Sequence, residues 1–122
     1  MYIWVDDQSR WEQLGQDING EAAGDNSGWS VSLSGDGKTL AVGSPWNSGN
    51  GDLSGCVRVY VWDEDTLTFN KLASDIIGDA AGDDFGHVVV LSEDGSTLAV
   101  GAEEHDGNGI TDSGQVKLFR IE

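Results

Sequence analysis

The sequence predicts an all-β protein made of four-stranded antiparallel blades of a β-propeller, a partial propeller of about two blades plus flanking strands. Two observations lead there. Residues 24–46, GDNSGWSVSLSGDGKTLAVGSPW, agree with residues 82–104, GDDFGHVVVLSEDGSTLAVGAEE, at 13 of 23 positions without a gap, and self-similarity at a fixed period marks repeat architectures. Each copy then reads as short apolar runs of period two separated by Gly-containing turns, the pattern of half-buried strands.

The period is 58 residues: Trp11 aligns with Phe69, Gly28 with Gly86, Leu40 with Leu98 and Gly43 with Gly101. After Gly109 one inserted residue makes it 59, so Gly55 aligns with Gly114 and Val57 with Val116. The match reaches back to the N-terminus, where YIWVDDQSRWEQLGQDING parallels YVWDEDTLTFNKLASDIIG.

Within each copy, WSVSLS or HVVVLS runs through an Asp-Gly turn into TLAVGS or TLAVGA, a hairpin. A polar, Gly-rich loop follows (47–55 and 105–114), then CVRVYVWD or QVKLFRIE, and DEDT turns the first of these back into LTFNKL. Segment 16–28 holds too many Gly, Asn and Asp for a stable helix and reads as a connection between sheets. Four short strands per repeat with a long crossover between them is the arithmetic of a propeller blade. Residues 1–122 are therefore expected to form a single propeller segment. In it 1–27 supply the last strands of a preceding blade and a crossover, 28–85 a full blade and its crossover, and 86–122 the first three strands of the next. About nine strands are too few to close a ring. The chain is expected to continue into the remaining blades of a longer protein, or else to self-assemble through its open strand edges.

Composition excludes several classes of partner. Twenty-two acidic residues against six Lys and Arg give a net charge of −16, which repels nucleic-acid backbones and anionic lipid. Neither nucleic acid nor a membrane is an expected partner. No stretch approaches the roughly 20 apolar residues of a membrane span, and MYIWVDDQSR lacks a signal-peptide core. Cys56, the single cysteine, lies in the apolar run CVRVYVW and reads as a packed residue.

DDFG at 83–86, GSP at 43–45, GA at 101–102 and SGCVRVYVW or SGQVKLF resemble the FG-GAP repeats of integrin-α-like β-propellers. WEQLGQDINGEAAGD resembles the crossover of the longer bacterial and algal variant. The resemblance implies a non-enzymatic module, a scaffold or protein-interaction surface, on the cell surface or outside the cell. Ser27-Gly28 departs from the family's Phe-Gly, and Gly101-Ala102-Glu103 from Gly-Ala-Pro. The family's calcium loop is a long acidic run; here it shrinks to SGDGKT and SEDGST, so Asp36 and Asp94 are expected to be turn residues rather than calcium ligands.

Three sets of residues can carry chemistry. Asp106, Asn108 and Asp112 place oxygens at i, i+2 and i+6 of a Gly-rich loop, a weak calcium candidate; otherwise no cofactor is expected. Trp46, Asn47, Asn50 and Asp52 form the matching loop of the first copy, with Trp46 as the expected exposed aromatic. They suit a glycan or protein ligand, which makes carbohydrate binding the alternative function. Trp4, Trp11 and Trp62 occupy aromatic repeat positions and are expected to pack within blades, whereas Trp29 and Trp46 face His87 and Glu104 in the other copy. The crossover acids Glu21, Asp25, Asp79, Asp83 and Asp84 recur at matching places, which suits structural turns better than catalysis. His87 and His105 stand in no nucleophile–His–Asp arrangement, and no catalytic residue is expected.

Overall fold

The computed structural model describes residues 1–48, 51–106 and 109–121. The chain is all-β, with a 3-10 turn at Asp6–Gln8. β1 (Tyr2–Val5) and β2 (Arg10–Gln13) form a hairpin. The blade β3 (Ser30–Leu33), β4 (Thr39–Ser44), β5 (Cys56–Asp63) and β6 (Thr68–Lys71) is an antiparallel meander in chain order. β8 (Val88–Leu91), β9 (Thr97–Ala102) and β10 (Gln115–Arg120) form a three-stranded antiparallel sheet. The sheets are those of an unclosed, partial propeller.

One short strand was not expected from the sequence. β7 (Ile76–Ile77) pairs with Cys56 and Val57 of β5, continuing the edge on which β6 pairs with Tyr60–Asp63. The register slips between Tyr60↔Lys71 and Val57↔Ile76, and Ala73 takes up the slip with φ 59°. A two-residue strand inside a Gly- and Asp-rich crossover has no periodicity to reveal it.

Both hairpin turns close in the same way. Ser34 Oγ and the Lys38 N–H donate to Asp36 Oδ1 at 2.7 and 2.9 Å, and Ser92 Oγ and the Ser96 N–H do the same to Asp94 at 2.8 and 3.0 Å. Hydrogen bonds from Ser96 and Ser92 hold the Asp94 carboxyl down at about 2. Asp-Gly is in these loops because a short carboxylate can satisfy the turn's own N–H groups.

Alternation along each strand gives every sheet two faces. Ala41, Val57 and Val59 of the β3–β6 blade pack on Val89, Leu91, Leu98, Val100 and Ala102 of the next sheet, with Phe85 between them. Phe85 is 1% exposed and meets Phe119 edge to face at 6.4 Å. Fully burying such apolar side chains contributes about 1.5–3 kcal/mol each. Cys56 is wholly buried beside this core, and burial pushes its thiol up to about 12, leaving it inert.

Hydrogen bonds stitch the two sheets together. Ser30 Oγ donates to the Gly86 carbonyl at 2.8 Å, the Leu91 N–H to Ser32 Oγ at 2.8 Å and the Gly35 N–H to the Glu93 carbonyl at 2.6 Å. Gly55 bridges in parallel to Phe85. At Gly43 and Gly55 the sheets approach so closely that no side chain fits: a Cβ would run into the Gly86 carbonyl in one case and the Phe85 backbone in the other.

Two tryptophans depart from expectation. Trp62 is buried on Phe69, ring centroids 5.0 Å apart. Trp4 and Trp11 meet each other edge to face at 5.5 Å but are largely exposed, Trp11 at 65%. Their hairpin has no inner strands beside it, so the packing that buries Trp62 and Phe69 is not available to them.

The glycine pair one repeat apart yields a sharp prediction. Gly43→Ala should destabilise the chain by about 1–3 kcal/mol, the usual cost of overpacking, because its Cβ has nowhere to go. Gly101→Ala, whose Cβ would meet the nearest atom, Val88 Cβ, at an ordinary 3.6 Å, should cost less than about 1 kcal/mol. Urea denaturation of both variants checks this, and equal losses would contradict it.

Candidate functional site

The crossovers into β3 and β8 and the loops after β4 and β9 emerge at the same end of the two sheets. Their frame is duplicated. The Gly28 N–H donates to the Gly43 carbonyl at 3.2 Å and the Gly86 N–H to that of Gly101 at 3.1 Å. Asn47 Nδ2 donates to buried Asp25 at 3.1 Å, and one repeat later His105 Nδ1 meets buried Asp83 at 2.8 Å. The carbonyls of Asn47 and His105 each accept an N–H, from Gly55 and Gly114, at 2.9 Å. Backbone angles repeat as closely: Gly24 and Gly82 both have φ 81°, Asn26 and Asp84 φ 52° and 53°, and Leu53 and Asp112 φ 55° and 50°.

On this frame stand residues that the copies do not share. Trp29 stacks on Trp46 with centroids 6.0 Å apart and planes at 28°. Trp29 also meets His87 at 5.4 Å, and His87 Nδ1 lies 3.5 Å from Glu103 Oε1. Both indoles keep about half their surface in solvent, 52% for Trp29 and 43% for Trp46. Carboxylate oxygens of Asp84, Glu103 and Glu104 lie within 4.8 Å of one another. Aromatic surface from one blade thus runs into an acidic group on the next.

That acidic group is electrostatically uncomfortable. Asp84 Oδ1 is buried without a hydrogen-bond partner. Burial, reinforced by Glu103 and opposed by His87, raises the Asp84 carboxyl above its ordinary value. Glu104 is raised chiefly by the Asp84 charge. Three carboxylates offer a hard cation three oxygens of the roughly six to eight that calcium takes.

The structure distributes the sequence candidates unevenly. Trp46 is exposed and belongs to the aromatic pair, although Trp4, Trp11 and Trp29 are more exposed than it is. Asn47 is engaged with Asp25. Asp52 is exposed and accepts from Ser48 Oγ at 3.5 Å. Asp106 Oδ1 accepts the Asp112 N–H at 2.8 Å, a bond within the loop. Asn50 and Asn108 lie outside the described residues. The crossover acids pair locally: Glu21 with buried Arg58 at 3.2 Å and Asp79 with Lys117 at 2.6 Å, equivalent ion pairs one repeat apart. Arg58 also holds Asp75 at 2.9 Å.

Sequence reasoning did not connect Trp29 with Trp46, nor Asp84 with Glu103 and Glu104. A signal was available: Trp29 and Trp46, and opposite them His87 and Glu104, are the positions where twin residues change type at matched places.

Asp84 supplies a test with a definite sign. A carboxyl raised in the folded state favours the fold in its neutral form, so the stability it supports is full at low pH and lost as pH rises through the raised value. Asp84→Asn, which installs the residue found at twin position 26, should stabilise the chain at neutral pH by about 0.5–1 kcal/mol. The gain should vanish in acid. Thermal unfolding of both proteins from pH 3 to 8 measures it, and a gain independent of pH would contradict the electrostatic account.

Comparison with known proteins agrees with the repeat. The family described as FG-GAP repeat matches residues 19–61, about a third of the chain, from the first crossover through most of β5. No curated protein matches the sequence. Residues 19–61 are thus similar to an FG-GAP repeat, and the antiparallel hairpins around them are those of partial β-propeller blades.

Proposed function

We propose that this chain is a non-catalytic binding module, in which rigid blades present one loop-bearing end to a ligand. The observation that supports this most is the division of labour between twin positions. Residues shared by the two copies are consumed in turns, ion pairs and the inter-sheet seam. Trp29, Trp46, His87, Glu103 and Glu104, which differ between copies, gather at one end. Loops held by a rigid scaffold are where binding function usually resides.

The chemistry of this end limits the ligand. Indole faces suit apolar or sugar-ring surfaces, and the neighbouring carboxylates in a chain of net charge −16 disfavour anions. A neutral glycan or a neutral-to-basic protein surface fits, in the extracellular setting that the resemblance implies. The adjacent exposed indoles favour carbohydrate as the second, narrower reading.

A glycan array backed by titration with tryptophan fluorescence tests both readings. Trp46→Ala and Trp29→Ala should weaken binding at least tenfold, since losing about 1.4 kcal/mol does so, and Trp11→Ala should leave it unchanged. No bound glycan would be cleaved. Absence of any glycan binding removes the carbohydrate reading, and cleavage of a bound glycan, or ligand binding that survives loss of both indoles, removes the module reading for this end.

A further inference from the structure

The joint between the β3–β6 blade and the β8–β10 sheet defines two kinds of face. A receiving face, with Ala41, Val57 and Val59, is covered by an inserting face, with Val89, Leu91 and Leu98. Each sheet has one face of each kind. The receiving face of the β8–β10 sheet carries Val88, Val90, Val116 and Leu118, all more than half exposed. The inserting face of the β3–β6 blade carries Val31 and Leu33, likewise more than half exposed. Val31 and Leu33 stand one repeat before Val89 and Leu91, which are buried in the existing joint.

We propose that a second copy of this chain fills these faces, the inserting face of one copy packing head to tail on the receiving face of the next. The existing joint supplies the register. There β7 pairs with Cys56 and Val57, and Phe85 bridges to Gly55. One repeat earlier stand residues 18–19 and Ser27; one repeat later stand Gln115, Val116 and Gly114. Between copies, residues 18–19 add to the edge of β10 at Gln115 and Val116, and Ser27 meets Gly114.

An open hollow of about 450 Å³ marks the place, lined by residues that include His87, Gly101, Gly114 and Val116. It is the counterpart of the seat that Phe85 and Gly86 occupy in the existing joint. Ser27 underfills it, and Val88 and Val90 replace the stitching Ser30 and Ser32, so this joint is weaker and more apolar than the one within the chain. β1 and the last residues of β10 correspond to the same part of the repeat, so the copies meet over the inner strands. The contact is heterologous, so it makes a ring where its rotation closes and an open array where it does not.

Sedimentation velocity of the whole chain across protein and salt concentration tests this. Association should strengthen with salt, which screens the mutual repulsion of chains of charge −16. Ser27→Phe should tighten it at least tenfold, the low end of burying a phenyl group being about 1.5 kcal/mol. Leu118→Lys and Val31→Lys should each abolish it, and mixing those two variants should restore a one-to-one dimer through their intact faces. Leu118→Thr and Val31→Thr, which keep a strand-compatible residue, should weaken association without loss of fold. A wild-type chain and a Ser27→Phe chain that both stay monomeric under all conditions would overturn the proposal. So would association indifferent to Leu118 and Val31, which would place the contact at strand edges, or a mixture of the two Lys variants that stays monomeric.

Discussion

Everything else in the molecule depends on how closely the β3–β6 blade and the β8–β10 sheet approach each other. At Gly43 and Gly55 the backbone of the blade lies against Gly86 and Phe85, the residues that lead into β8. Only glycine leaves room for this, and only at this distance can Ser30 and Ser32 reach the Gly86 carbonyl and the Leu91 N–H. Val57, Leu98, Val100 and Phe85 then fill the space behind the seam and are almost fully buried. Small domains have little apolar area to spare, so one well-packed joint carries most of the chain's cohesion.

The seam also explains how the loop-bearing end is built. Phe85 and Gly86 are core residues, and they fix where the crossover lands. The next residue, His87, therefore projects beside Trp29 of the neighbouring blade. Asp83 and Asp25, buried and held by His105 and Asn47, pin the crossovers to the loops that follow β4 and β9. A duplicated frame of this kind leaves a few positions free to vary without loss of fold, and those positions share one end of the molecule.

Much of this was legible in the sequence, for identifiable reasons. The strands at 39–44 and 56–63 announce themselves by alternation and by their Asp-Gly and Asp-rich turns, and the structure places β4 and β5 at those residues. The burial of Cys56 follows from its apolar run. β7 was not legible, because two isoleucines in a polar crossover form strand only when the edge of β5 offers partners. The exposure of Trp4 and Trp11 was not legible either: repeat equivalence to Trp62 and Phe69 carries the residue type but not the neighbouring strands. The pairing of Trp29 with Trp46 depends on where two loops far apart in sequence emerge, which only the sheet register determines.

The central claim is that the two sheets form one cooperative unit through the seam, while the β1–β2 hairpin stands outside it. Native-state hydrogen exchange measures this directly, since amides of one cooperative unit open together. The N–H groups of β4, β5, β8 and β9, with the cross-sheet amides of Gly35 and Leu91, should exchange slowest and with a common opening free energy, and those of β1 and β2 much faster. If the β8–β10 amides open independently of β4 and β5, or β1 and β2 are protected as strongly as either, the seam is not what holds the fold.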